Sequence, residues 1–128
     1  MQFVIIARDG TDPEAQARRQ AVRPAHLEGI RPFVERGNIL VGGAILDEVG
    51  NMVGSVLMAD FPTRERLDAW LTGDPYVTDG VWHEVEVQPY RAAVGAWLPW
   101  PPSSAGSSRI PEGSAWPWLR TQPTRRAE

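Results

Sequence analysis

The sequence predicts an α+β domain in which one antiparallel sheet of four strands carries two helices on one face. Three observations lead there. An apolar, β-branched run opens the chain at Phe3–Ala7, two stretches of helical periodicity follow at 14–36 and 63–72, and three more runs with strand character flank the second helix. All of these signals fall within residues 1–92.

Phe3–Ala7 reads as a central strand buried on both faces. Asp9-Gly10-Thr11-Asp12-Pro13 is a turn, with Asp12 as the expected N-cap and Pro13 as the first helical residue. Glu14–Val22 is helical, and Pro24 is expected to break the helix and restart it over Pro24–Arg36. That second stretch aligns Leu27, Ile30, Phe33 and Val34, and Gly37 stops it. Asn38–Leu46 and Met52–Ala59 form a hairpin whose turn is Asp47–Asn51. Thr63–Thr72 turns Leu67, Trp70 and Leu71 inward and ends at Gly73. In the last strand, Val81–Tyr90, strict alternation places Val81, His83, Val85 and Val87 on one face and Trp82, Glu84, Glu86 and Gln88 on the other.

The order β-α-β-β-α-β is the split-βαβ, ferredoxin-like plan, a sheet with both helices on one side. The first three strands are apolar on the other side as well, and a bare apolar sheet face favours association. A homodimer packed face to face, with a partly enclosed space near the two sheets, is the expected outcome.

At 128 residues the chain can bury one core. With a net charge of −3 and a pI near 5.4, neither nucleic acid nor an anionic membrane is an expected partner. There is no cysteine, which excludes thiolate nucleophiles and cysteine-ligated metals. All 13 basic residues are arginine, which excludes a Schiff-base lysine. No apolar run reaches the roughly 18–20 residues of a membrane span. The first residues lack the basic region of a signal peptide, so a cytoplasmic location is expected.

Composition changes near residue 93. Residues 1–92 are expected to be the folded domain and 93–128 a Pro/Ser/Trp-rich extension. Such segments are usually poor in aromatics, yet this one holds Trp97, Trp100, Trp116 and Trp118, which are expected to dock it on an apolar surface.

Acid–base chemistry is left to His, Asp, Glu and Tyr. His26, in Arg23-Pro24-Ala25-His26-Leu27, borders the buried stripe of its helix and suits a half-desolvated base. The plainer alternative is a helix-edge histidine bonded to a nearby carbonyl. His83 fits the rim of the sheet. Asp74, before Pro75, fits a local Asx-type turn or a group that orients a histidine. Gly42-Gly43 and Gly54-Ser55 stand on paired strands, as the floor of a ligand site or as points of close packing. Two histidines with no third ligand in register make a weak metal case, and neither metal nor cofactor is expected.

These segments together resemble the YciI-like, YCII-related family. The residues that carry the likeness are Phe3–Ala7, Arg23-Pro24-Ala25-His26-Leu27, Ile39–Ala44, Gly54-Ser55, Asp74-Pro75-Tyr76-Val77, Gly80-Val81 and Val85-Glu86-Val87-Gln88-Pro89-Tyr90. The resemblance covers residues 1–92 and not the extension. It implies a dimeric α/β barrel similar to muconolactone isomerase, with a histidine–aspartate pair at His26 and Asp74. One branch of the family is associated with dehydrochlorination of a chlorinated hydroxyquinol. His83 has no clear counterpart in the family.

The resulting expectation is a cofactor-independent lyase or isomerase of a small cyclic oxygenated metabolite. His26 moves the proton and Asp74 holds the imidazole. Arg8 or Arg23 attracts a carboxylate or phenolate. Gly43, Ser55, Tyr76, Trp82 and His83 are the other expected substrate contacts, with Phe3 and Ile5 as apolar walls. The rival is a module that binds a metabolite or another protein without turnover.

Overall fold

The computed structural model describes residues 1–96 and residue 98. The expected tryptophan anchors at 97, 100, 116 and 118 lie outside the described residues. The elements are β1 (Gln2–Asp9), α1 (Ala15–Glu35), β2 (Ile39–Leu46), β3 (Met52–Asp60), α2 (Arg64–Gly73), α3 (Pro75–Thr78) and β4 (Trp82–Tyr90). The sheet order is β2-β3-β1-β4 and every pairing is antiparallel. This is the α+β, ferredoxin-like fold.

Period two explains the core. Phe3, Ile5 and Ala7 face the helices, opposite Ala59, Leu57 and Ser55 on β3. Against them pack Ile30 of α1, Leu67 and Trp70 of α2, and Tyr76 of α3. Ile5 and Leu67 have no exposed surface, and burying such a side chain contributes roughly 1.5–3 kcal/mol. Phe33, Phe61 and Trp70 close one end as a ring cluster with centroids 6.0–6.3 Å apart.

The other sheet face holds Val4, Ile6, Val41, Ile45, Val56 and Met58, as the register requires. Strand β1 is therefore buried on one face only within the single chain. On this outer face Val41 is 46% and Val56 37% exposed. Glu84, Glu86 and Gln88 of β4 share it, so the apolar area is confined to β1, β2 and β3.

Helix α1 differs from the expectation of a break. It runs unbroken through Pro24 and Pro32. A proline leaves the carbonyl four residues earlier without its donor. Here those carbonyls belong to Gln20 and Glu28, on exposed residues where water can reach them. Packing by Arg19, His26 and Ile30 holds the helix down on either side of Pro24. The start differs as well. Glu14 is the N-cap residue and makes no side-chain cap bond, while Asp12 accepts a two-pronged bond from Arg18, at 3.2 and 2.7 Å. That guanidinium lowers the Asp12 carboxyl to about 2. Gly37 ends the helix as expected, at a φ of 82° that favours glycine.

The largest correction concerns β4. Its register against β1 shifts between Arg8 and Asp9, so that Arg8 pairs with Glu84 and Asp9 with Trp82. His83 is the extra residue of this bulge. Beyond it the alternation resets, which places Trp82 on the inner face with Val85 and Val87 rather than beside Glu84. Val81 and Trp82 are both buried, and His83 is exposed.

Candidate active site

One stripe of α1 supplies most of the site. Arg19, Arg23, His26 and Ile30 recur at helical spacing and meet the inner face of the sheet. Asp74 approaches from the α2–α3 junction. It is held extended (φ −71°, ψ 135°) as a residue before proline must be, and its Oδ1 accepts the Tyr76 N–H at 2.8 Å, capping α3. The same carboxylate meets His26 Nδ1 at 2.8 and 3.0 Å. The two readings weighed for Asp74, local turn and partner of a histidine, are thus one arrangement. Both side chains are buried, with 9% of His26 and 1% of Asp74 exposed. An ionised carboxylate only accepts, so it fixes the hydrogen on Nδ1 and leaves Nε2 as the basic atom.

Aromatic rings enclose this pair. Tyr76 stacks on His26 with centroids 3.9 Å apart, and Trp82 meets the two rings edge-on at 5.8 and 5.4 Å. Burial pushes the Tyr76 phenol up, against the opposing pull of the Arg19 and Arg23 charges. The phenol is therefore neutral at neutral pH.

A second buried network adjoins the first. Arg19 Nη1 donates to both Asp9 oxygens at 2.9 Å, and Nη2 donates to Ser55 Oγ at 2.9 Å. Trp82 Nε1 also donates to Ser55 Oγ, at 3.2 Å. With both lone pairs of Ser55 engaged, its own O–H is left to donate. The Arg19 guanidinium lies over the Tyr76 ring, 4.9 Å from the centroid, and so joins the two networks.

The cavity beside these groups holds about 270 Å³. Arg19, Arg23, His26, Ser55 and Tyr76 supply its polar lining, and Leu27, Ile30, Val34, Ile39, Met52 and Leu57 its apolar lining. Gly42, Gly43 and Ala44 form part of its floor. Among the described residues, no three His, Asp or Glu side chains gather as metal ligands, and no helix is long and apolar enough to cross a membrane.

The expected site residues divide accordingly. His26, Arg23, Tyr76, Ser55 and Gly43 line the cavity, and Asp74 stands behind His26. Trp82 supports His26 and Ser55 from outside the lining. Arg8 is corrected: alternation with Ala7 and Asp9 sends it to the outer face, where it is exposed. His83 is corrected too, because the bulge carries it over Gly10, where an added Cβ would lie 2.6 Å from its ring. Phe3 and Ile5 are sealed in the core and do not wall the cavity. Gly42, opposite Leu57, faces the helices, whereas Gly43 and Gly54 belong to the outer face. Gly43 touches the cavity through its backbone.

Sequence reasoning passed over Arg19 and Asp9. The signal was present. Asp9 continues the inward series Phe3, Ile5, Ala7, and a buried carboxylate requires a cation. Arg19 stands two helical turns before His26, on the same stripe.

The fold and this cavity define an α+β protein of the ferredoxin-like class with a histidine–aspartate contact at an internal space. The YCII-related domain matches residues 1–91, and the chain belongs to that family. It is similar to Protein YciI of Escherichia coli, 34% identical over 97 residues that cover 71% of this chain and 97% of that protein. Similarity extends to the Xenovulene A biosynthesis cluster protein asL2 of Sarocladium schorii, 28% identical over 90 residues and covering 62% of this chain and 77% of that one. Among solved structures, 5-chloro-2-hydroxyhydroquinone dehydrochlorinase (TftG) of Burkholderia phenoliruptrix, in complex with 2,5-dihydroxybenzoquinone, superposes with a TM-score of 0.64. It is 24% identical, and the match covers 71% of this chain and 94% of that one, a likeness of fold.

Proposed function

We propose that this protein is a cofactor-independent lyase or isomerase that moves a proton on a small cyclic oxygenated metabolite through His26. One observation carries the reading: His26 Nδ1 lies 2.8 Å from the buried Asp74 carboxylate, on a ring that lines a cavity of about 270 Å³. Neutral His26 takes a proton at Nε2 from a carbon next to a carbonyl or enolic oxygen. Asp74 stabilises the imidazolium that results. The electron pair left behind expels a leaving group on the adjacent carbon, and the imidazolium returns its proton to that group or to water. In an isomerase the same proton is delivered to another carbon instead. Acid–base assistance of this kind contributes about 10²–10⁴-fold, which suits an activated, enolisable substrate.

The dehydrochlorinase that shares the fold acts on a chlorinated hydroxyquinol, which supports an elimination of this class. The functional unit in this reading is a cytoplasmic homodimer that covers the outer sheet face. The test is a turnover screen of ring-containing hydroxy, keto and chlorinated acids with the wild type and His26→Ala. Turnover that His26→Ala loses supports the reading. Full activity in His26→Ala, or ligand binding with no turnover of any compound, overturns it.

A further inference from the structure

We infer that the cavity is an anion-selecting site in which Arg23 holds the carboxylate or phenolate of a substrate whose apolar body lies between Leu27, Ile30 and Val34. This deepens the proposed function by naming the substrate class, and it rests on the same cavity, though not on proton transfer by His26.

The argument starts from the helix. Arg19, Arg23 and Leu27 are each four residues apart on α1, and all three line the cavity. Lining residues on the N-terminal part of the stripe are cationic, and those from Leu27 onward are apolar. An occupant that matches such a wall has a charged end and an apolar body.

The charges do not cancel among the described residues. Arg18 is bonded to Asp12 and Arg19 to Asp9. Among the described residues, Arg23 has no carboxylate within ion-pair distance. Positions three and four residues to either side of it hold Arg19, Gln20, His26 and Leu27, none of them acidic. Two guanidinium groups thus border one cavity, with a bonded carboxylate for only one of them. Arg23 is the more exposed of the two, and its charge reaches the Tyr76 phenol. An anion at Arg23 would gain a charge-assisted, two-pronged hydrogen bond.

Ser55 strengthens the case. It is 4% exposed and lines the cavity, and both of its lone pairs are held by Arg19 and Trp82. Within this site it can offer a ligand only a donor, which suits an anionic oxygen and not an ammonium or N–H group.

Binding of benzoate, benzamide and acetate, measured by titration calorimetry, tests the inference. Benzoate carries both features, benzamide lacks the charge and acetate lacks the ring. The wild type is expected to bind benzoate at least about tenfold more tightly than either of the others. Arg23→Gln, at an exposed position where the fold has little to lose, should reduce benzoate to the level of benzamide. Arg23→Lys should retain part of the preference. Calorimetry reads binding without turnover, which separates anion recognition from proton transfer. Equal binding of benzoate and benzamide would overturn the inference, as would a preference that survives in Arg23→Gln. So would failure of the wild type to bind benzoate at roughly 10 mM.

Discussion

His26 and Tyr76 lie ring on ring, with centroids 3.9 Å apart and planes 9° from parallel. Asp74 ties both together, because its carboxylate meets the imidazole at Nδ1 and accepts the Tyr76 N–H. The Tyr76 ring covers one face of the imidazole and the carboxylate holds its edge, so the orientation of the His26 ring is fixed from two sides.

Asp74→Asn should separate catalysis from folding. The asparagine oxygen can still accept from Tyr76 N–H, so α3 keeps its cap. It cannot stabilise an imidazolium as a carboxylate does. The rate of any turnover is expected to fall by about 10²–10⁴-fold while the circular-dichroism melt changes little. Equal losses of rate and melting temperature would make Asp74 a structural residue only.

Tyr76→Phe reports on burial through pH. The folded-state phenol is raised above its ordinary 10.0, chiefly by desolvation. As pH rises past the ordinary value, the unfolded chain ionises first. The stability contributed by the neutral buried phenol is complete below that pH and is lost as pH climbs toward the folded-state value. Wild type should therefore hold its stability relative to Tyr76→Phe up to about pH 10 and lose it as pH rises from about 10 to about 11, by urea unfolding. A constant difference across that range would contradict this assignment.

The buried ion pair makes a prediction about the fold. Asp9 and Arg19 have only 3% and 4% of their side chains exposed. Arg19→Met leaves a carboxylate without its cation and should cost about 3–5 kcal/mol in urea unfolding. Asp9→Leu combined with Arg19→Met removes both charges and should recover much of that loss. A double variant as unstable as the single one would show that packing, and not the unpaired charge, is what Arg19→Met damages.

Periodicity made the element order and the inner residues of α2 legible in the sequence, because a helical pattern reports directly on which side is buried, whereas the continuous apolar run of β1 carries no alternation and reads as buried on both faces. It failed where one residue changes the count. Nothing in Trp82-His83-Glu84 marks a bulge, and without it His83 falls on the valine face and Trp82 on the wrong one. Proline also misled, since local chemistry at Pro24 favours a break that the contacts of Arg19, His26 and Ile30 override. For the site, motif resemblance pointed to His26 and Asp74. Their juxtaposition depends on an α1–α3 approach that no local pattern encodes. Arg8 and Arg23 had equal claims as an anion partner until the register of β1 sent Arg8 to the far face.

Two glycines of the hairpin lead to opposite expectations. A Cβ added to Gly54 would lie 2.5 Å from the Ala7 carbonyl oxygen, a backbone atom in the middle of the sheet. That atom cannot move without disturbing the β1–β3 pairing, so Gly54→Ala should destabilise by about 1–3 kcal/mol. A Cβ on Gly42 would meet Leu57 Cδ2 and Cγ at 3.3 Å, on a side chain that can shift by a few tenths of an ångström. Alanine also loses less conformational entropy than glycine when a strand forms. Gly42→Ala should therefore change stability by less than about 1 kcal/mol. Its methyl group would stand on the cavity floor and narrow the space beside Leu57, so its effect should appear as weaker benzoate binding. Urea unfolding and calorimetry on the two variants decide the matter. If Gly42→Ala unfolds as readily as Gly54→Ala and binds benzoate normally, the glycine serves strand packing and the floor of the site lies elsewhere.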